Sequence, residues 1–521
     1  MQDSAPPQDP PQLVPHDFRA SIAHDLPPGV TQVGSLVNHG ESPSYGLLIC
    51  QLEPEHEVRP GQLLGVWHGR RRRRRLTVVQ VVECVERNPS EEPDLANARR
   101  RLSLGQGYAQ EGVSTRIYRL AKCNALEEIE LSGGQNVVSP GAAKAPETLC
   151  RAGDPVILLT DELVQATLGM LPRTDKGLHL GSLHGDEGVS ATMRAAITQM
   201  HVGVFGSPGK GKSYFSGVLV EELVAWGVPT LVLDVNGETI EAGAALGGSC
   251  IQLPDAKKFG LPLSLLTPRE LPEITPNMRA ATQYKDLVEI AQSNLRASHA
   301  RSGTQFSIDD LIAEIEKIGP NLELKKNTIG AAVKRVSALK GNPLIGTSFD
   351  YIDELRKSGL VVLDCRYLTL PETRLIAAAA ARTLQKYGRQ RAQETESGVA
   401  DAAARSWFAA LYIDEAHSVA PAHDSVVSTQ VLYELARMGR HVRTGLILAS
   451  QSPADLDRSI LKRLQTRFVF ALERDQLQAI GGINADFDER LMAMLPKLPQ
   501  GVCAVSGTSE LVRHGFLLQV R

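Results

Sequence analysis

The strongest constraint on this chain is the stretch Gly206-Ser207-Pro208-Gly209-Lys210-Gly211-Lys212-Ser213, which follows a short apolar run from His201 to Phe205. It fits the pattern of a glycine, four free positions and then Gly-Lys-Ser. The glycines let the backbone curl so that N–H groups point into one concavity. Phe215, Val218, Leu219 and Leu223 fall at helical spacing just beyond. The helix they predict turns its positive end towards the same concavity. A strand, loop and helix in this order form a cradle for nucleotide phosphates. Gly206 to Tyr214 are expected to line an ATP site, with Lys212 reaching the β- and γ-phosphates and Ser213 ligating Mg2+. A glycine-rich turn is the alternative, and the full pattern between an apolar run and a helix weighs against it.

A second constellation lies two hundred residues on. Trp407 to Ile413 is apolar, and Asp414-Glu415-Ala416-His417 follows. Acids at the end of a buried strand suit a phosphate loop. Asp414 is expected to hold Mg2+, and Glu415 to polarise the attacking water as general base. Adjacent acids beside a phosphate repel unless a cation intervenes. A helix N-terminus with acids in its first turn is the plainer reading of the same residues. For His417 three roles stay open: a phosphate contact, a contact with a neighbouring subunit, or packing.

The fold class expected is α/β. From about residue 195 the chain alternates strand and helix, as in a mostly parallel sheet. Residues 1–29 hold seven prolines and read as a flexible tail. Residues 30–160 carry short β-branched runs (Gly46–Leu52, Gln62–Trp67, Leu76–Val85, Pro155–Leu159) that fit a small β-barrel. The first part of the ATPase core is expected over 161–261 and the second over 359–521. Between them, 262–358 reads as a helical insertion: Tyr284–Ala297, Ser307–Ile318 and Lys326–Leu339 carry helical periodicity, and Ser307 is placed to cap its helix. Gly359–Asp364, Ala409–Ile413, Thr444–Ala449 and Arg467–Leu472 read as buried strands. Gly501–Val505 and His514–Val520 read as a C-terminal hairpin.

The formal charge of −3 and a pI near 6.5 exclude a chain that coats nucleic acid with a basic surface. Nucleic acid would have to be held by a local patch or a pore. Arg70 to Arg75 is the one strongly basic run, read either as a phosphate-binding patch or as a solvated loop. The seven cysteines form no C-x-x-C pair, which points to reduced thiols rather than a disulfide or zinc framework. No apolar run approaches a membrane span, and the N-terminus lacks the features of a signal peptide, so a cytoplasmic protein is expected.

Taken in order, four motifs resemble the HerA/FtsK superfamily of hexameric translocases, and HerA in particular. They are the loop at 206–213, Asp234-Val235-Asn236-Gly237-Glu238 at a strand end, Asp414-Glu415-Ala416-His417, and Ser450-Gln451-Ser452-Pro453 after another strand. Two departures stand out. Serine replaces the family's usual threonine at 450, and Ser452 stands where an arginine is usual. The resemblance covers about residues 195–521, and residues 30–160 resemble the family's N-terminal barrel more loosely.

The resemblance implies a RecA-like ATPase core assembled as a homo-hexamer around DNA, most simply double-stranded. It implies that Gln451 senses the γ-phosphate and that Arg440 enters a neighbour's site as an arginine finger, with Arg437 and Arg443 as rivals for that role. Asp234 and Glu238 are implied as residues near the nucleotide. Lys257 and Lys258 are one candidate for the pore. A partner nuclease of the NurA type is implied, in DNA end processing and recombinational repair. Two other functions remain open: a ring that scaffolds and regulates an effector in phage defence, and a conjugation-type pump for single-stranded DNA or protein.

Overall fold

A computed structural model describes residues 26, 29–38, 43–70, 73–87, 118–131, 143–173, 176–255, 259–276, 278, 282–302, 304–396, 409–424, 426–439, 441–481, 489–507 and 511–521. The chain forms two compact units, residues 1–167 and 168–521.

The first unit is an antiparallel barrel. Its strands are β1 (Gln32–Leu36), β2 (Leu47–Leu52), β3 (Leu63–Arg70), β4 (Arg73–Arg87), β5 (Tyr118–Leu131), β6 (Ala143–Lys144) and β7 (Pro155–Leu158). Their order is β2-β1-β7-β3-β4-β5-β6, and β2 also pairs with β5. That pairing closes a ring of six strands and leaves β6 as an appendage on β5. Closure needs curvature, and two register shifts in the β4–β5 ladder, at Val78/Val79 and Val81/Glu83, supply it. Val33, Leu48, Leu64, Val66, Val79, Val81 and Val156 fill the interior. The arginine run is less a loop than the sequence suggested. Arg73 to Arg75 belong to β4, and Arg75 pairs at 2.7 Å with the buried Glu128.

The second unit is built on one sheet of eleven strands: β8 (Leu178–Leu183), β9 (Asp186–Met193), β10 (Val202–Phe205), β11 (Thr230–Asp234), β12 (Ser249–Gln252), β13 (Leu360–Asp364), β14 (Ala409–Ile413), β15 (Thr444–Ser450), β16 (Thr466–Val469), β17 (Val502–Gly507) and β18 (Phe516–Val520). The order is β12-β13-β11-β14-β15-β10-β16-β17-β18-β8-β9. Pairing is parallel from β12 to β16 and antiparallel from β16 onward. The central strands are buried along their whole length and mostly apolar because both faces are covered.

Three of the four buried strands expected after residue 358 appear within one residue at each end, and the fourth, Arg467–Leu472, is observed as Thr466–Val469. The C-terminal hairpin is real, but it is continuous with the main sheet. Strands β1, β5, β8 and β9 were not foreseen. The insertion is helical as expected, with α2 (Thr282–Ser302), α3 (Ile308–Ile318) and α4 (Lys326–Ser337). Ser307 caps α3 reciprocally: its Oγ accepts from the Asp310 N–H at 3.1 Å, and Asp310 Oδ2 accepts from the Ser307 N–H at 2.7 Å. Leu287, Val288, Leu311, Ile315 and Val336 from these helices join the same apolar cluster as Leu231, Leu233 and Leu411 of the sheet.

Helix α1 (Lys212–Trp226) is fastened by aromatic packing. Phe215 is fully buried, its ring centroid 4.5 Å from Phe468 and 5.7 Å from Phe470. Phe215→Ala should destabilise the protein by about 3–5 kcal/mol, read from the denaturant midpoint. A loss below about 1 kcal/mol would mean that this cluster does not anchor the helix.

Candidate nucleotide-binding and hydrolysis site

Three strands of the second unit end side by side. Phe205 of β10 is level with Ser450 of β15, and Ile413 of β14 with Leu448 of β15. Gly206, Gln451 and Asp414, each the residue after its strand, therefore share the carboxyl edge of the sheet, where open parallel sheets bind ligands. The strand leading to Gln451 lies between the phosphate loop and the acids.

The loop is held by its backbone. Ser207 N–H donates to Ala471 O at 2.9 Å, and Gly501 N–H donates to Lys210 O at 3.1 Å. Gly209 and Gly211 have φ of 74° and 105°, which only glycine adopts freely. At Gly206 a β-carbon would lie 2.6 Å from Phe470 Cβ, so that glycine is required by space. Helix α1 starts at Lys212, and its first-turn N–H groups have no partners within the helix. Ser213 and Tyr214 stand exposed at its start, Tyr214 with 64% of its surface free.

Lys212 is buried, and its Nζ lies 3.1 Å from Asp414 Oδ1 and 3.4 Å from Glu415 Oε1. Burial alone would depress the ammonium, but the two carboxylates outweigh it and hold it above the ordinary lysine range. For Asp414 the balance differs. Burial, helped by the charge of Glu415, lifts its carboxyl above the usual range despite Lys212. One cation for two buried carboxylates leaves the site short of positive charge. Asp414 Oδ2 and Glu415 Oε2 are buried and accept no hydrogen bond among the described residues. Unsatisfied carboxylate oxygens fit a hard divalent cation such as Mg2+, which when bound would neutralise phosphate charge.

Glu415 sits at φ 44°, ψ 50°, a left-handed conformation uncommon for a residue other than glycine. This bend turns the chain sharply off β14 immediately after Asp414. His417, whose role the sequence left open, is placed by the same bend. Its Nδ1 is 3.1 Å from Ser450 Oγ and 3.3 Å from Glu415 Oε2. Ser450 Oγ also accepts from Ser452 N–H at 3.1 Å. The hydroxyl at 450 thus joins the acid turn to the start of the loop that carries Gln451. Arg374, on α5 (Leu370–Glu396), donates from Nε to Ser418 O at 2.9 Å and steadies the acid turn from the other side. Nothing in the sequence marked Arg374, because its partner is a backbone carbonyl 44 positions away.

Asp234 is engaged by its own loop. Its Oδ1 accepts from Gly237 and Glu238 N–H at 2.7 and 3.2 Å, and its Oδ2 from Thr239 N–H and Oγ1 at 2.8 and 2.7 Å. Four donors saturate a carboxylate, so Asp234 shapes its own loop rather than offering an oxygen to a ligand. Glu238 stands exposed on that loop. Arg440, Lys257 and Lys258 lie outside the described residues, as do Arg71 and Arg72 of the arginine run. Arg437 is exposed at the end of α6 (Val427–Met438), and Arg443 takes a φ of 50° just before β15.

With this geometry in place, the relatives of the chain can be stated. The family model described as the central domain of helicase HerA matches residues 178–384, from β8 into α5. A protein described as a probable helicase in Methanocaldococcus jannaschii is 22% identical over 401 residues, covering 75% of this chain and 74% of its own. A DNA double-strand break repair helicase HerA of Sulfolobus acidocaldarius is 23% identical over 368 residues, 68% of this chain and 71% of its own. The chain is similar to HerA-type P-loop ATPases of the HerA/FtsK superfamily.

The HerA match to the family model ends before Asp414, and the chain itself carries the acids beyond it at the expected strand end. The solved structure of VirB4 of Thermoanaerobacter pseudethanolicus superposes with a TM-score of 0.51 at 16% identity, covering 68% of this chain and 98% of its own, a likeness of fold. The HerA-type site as it stands is that of a nucleotide-hydrolysing ATPase. No helix among the described residues is long and apolar enough to cross a membrane.

Proposed function

We propose that this chain is an ATP-driven motor that moves double-stranded DNA. The observation that carries the reading is Lys212 between Asp414 and Glu415, with the Ser450–Gln451 strand end set between phosphate loop and acids, in a HerA-type chain. The core is RecA-like in this reading. Gly206 to Tyr214 enclose the triphosphate of ATP, and Ser213 and Asp414 hold Mg2+. Lys212 moves from the carboxylates to the β- and γ-phosphates when nucleotide arrives, which frees Glu415 to accept a proton from water. Gln451 reads the γ-phosphate, and its change of contact passes through Ser450 and His417 to the acid turn. A homo-hexamer threads DNA through its pore. Six copies of a few basic residues give a strong local field although each chain is slightly acidic. An arginine after α6, Arg440 first, completes the neighbour's site.

The names of two relatives support a role at double-strand breaks, and in this reading a NurA-type nuclease or another effector docks on the ring. The test is the ATPase rate with and without linear double-stranded DNA, followed by displacement of a triplex-forming strand. Stimulation of about tenfold or more, with displacement, is expected for a coupled motor. Good turnover that ignores DNA and displaces nothing would overturn the motor. The ring would then be a nucleotide-driven scaffold for an effector. Stimulation by single strands alone would move the reading to a conjugation-type pump.

A further inference from the structure

The barrel unit holds a cluster of side chains that the ATPase reading does not use. Along β3 the inward positions run Leu64, Val66 and His68, so a histidine closes an apolar row. Thr77 of β4 is opposite Val66 in the ladder and points the same way. Cys150 and Asp154 meet them from the segment before β7. They flank a tight turn in which Arg151 N–H donates to Asp154 Oδ2 at 2.7 Å, Asp154 N–H donates to Arg151 O at 3.0 Å, and Gly153 takes a φ of 93°. That turn brings a thiol and a carboxylate, four positions apart, to one side. A ligand nitrogen of His68, Cys150 Sγ and a carboxylate oxygen of Asp154 all lie within 4.8 Å of one another. The Thr77 hydroxyl, 2.8 Å from His68 Nε2 and 3.7 Å from Cys150 Sγ, orients two of the three.

We infer that His68, Cys150 and Asp154 form a zinc site inside the barrel. The donor set of one imidazole, one thiol and one carboxylate is that of zinc rather than of Mg2+ or Ca2+. Charge favours it too. A dication with one thiolate, one carboxylate and a neutral imidazole sums to zero, and the environment demands neutrality, since His68, Thr77 and Cys150 are all at least 95% buried. A neutral imidazole is ready to ligate, and zinc displaces the thiol proton on binding. Ligand atoms around tetrahedral zinc stand on the order of 3.5 Å apart, so the cluster tightens by about an ångström when filled. Three protein ligands leave a fourth position for water or the Thr77 hydroxyl. The site joins β3 to the segment entering β7, two neighbours in the ring. Its effect is to pin the barrel wall, independently of ATP.

The test uses the full chain and cobalt(II) as the probe. After chelation, titration should produce a thiolate-to-cobalt charge-transfer band with strong visible ligand-field absorption. The signal should saturate near one equivalent per chain and be displaced by zinc. Cys150→Ser should abolish the charge-transfer band while circular dichroism stays that of the wild type. Asp154→Asn should keep the band but weaken cobalt binding about tenfold or more. Cys50→Ser, at another buried thiol of the barrel, should change nothing. No charge-transfer band, or a band that survives Cys150→Ser, would overturn the assignment. If Cys150→Ser perturbs the fold, zinc content of the untreated wild-type and Asp154→Asn proteins decides: equal zinc per chain in both overturns it.

Discussion

Glu415→Gln is expected to lower ATP turnover by about 10²–10⁴-fold while nucleotide binding persists. The amide has the shape of the carboxylate but cannot take a proton from water. The backbone gives the substitution its cleanness. Residue 415 sits at φ 44°, and glutamine suffers there as much as glutamate, so the turn after Asp414 should be unchanged. What changes is the charge facing Lys212 at 3.4 Å and His417 at 3.3 Å. Single-turnover hydrolysis and equilibrium binding of a fluorescent ATP analogue separate the two effects. Turnover close to wild type would move the base elsewhere, and loss of binding would show that Glu415 shapes the nucleotide pocket.

Lys212→Ala has a different expected signature. Removing Nζ takes away the side chain that meets the phosphates, so binding should weaken by about 10²-fold or more and turnover fall to background. It also strands Asp414 and Glu415, which share this one ammonium in the nucleotide-free protein. Breaking a buried pair from one side costs about 3–5 kcal/mol, so the apo variant should also melt at a lower temperature. Wild-type Tm with lost binding would mean the carboxylates are better satisfied than the geometry indicates. Retained turnover would overturn the site itself. The pair of variants is diagnostic because Glu415→Gln relieves the charge imbalance and Lys212→Ala worsens it. Their effects on Tm should have opposite sign while both lose activity.

The phosphate loop and the acids were legible because their chemistry is local. A glycine pattern and a carboxylate pair after an apolar run carry their meaning within eight residues. The central strands were legible for a related reason: doubly buried parallel strands such as Leu231–Asp234 and Ala409–Ile413 are unbroken apolar runs. Elements with polar or charged residues breaking their apolar pattern were harder. Strand β5 contains Asn124, Glu127, Glu128 and Glu130, and only its ladders with β2, β4 and β6 make it a strand. Strands β8 and β9 were hidden by their glycines and acids for the same reason.

The site's supporting contacts were the least legible. His417 meets Ser450 across 33 positions and Arg374 meets Ser418 across 44, and the saturation of Asp234 depends on the path of a loop. The cluster of His68, Cys150 and Asp154 was passed over because its spacing, 82 positions between the first two, matches no metal pattern. The barrel's closure brings it together.

Strand β18 has a consequence for the order in which this protein can mature. It lies inside the sheet, between β17 and β8, and it is the strand that joins the hairpin of β8 and β9 to the rest of the sheet. Its Val520 N–H donates to Gly501 O, and Gly501 N–H donates to Lys210 O in the phosphate loop. The cradle for ATP is therefore fastened by residues made some three hundred positions after it. During synthesis, the edge of β8 that faces away from β9 must wait for β18 while the chain lengthens, a long-range pairing of the kind that slows folding and invites capture by chaperones. A chain interrupted before β18 would carry every residue of the nucleotide motif and still lack a finished loop. The fold thereby couples competence for ATP to completion of this strand, and an aborted fragment would be a poor competitor for places in an assembly.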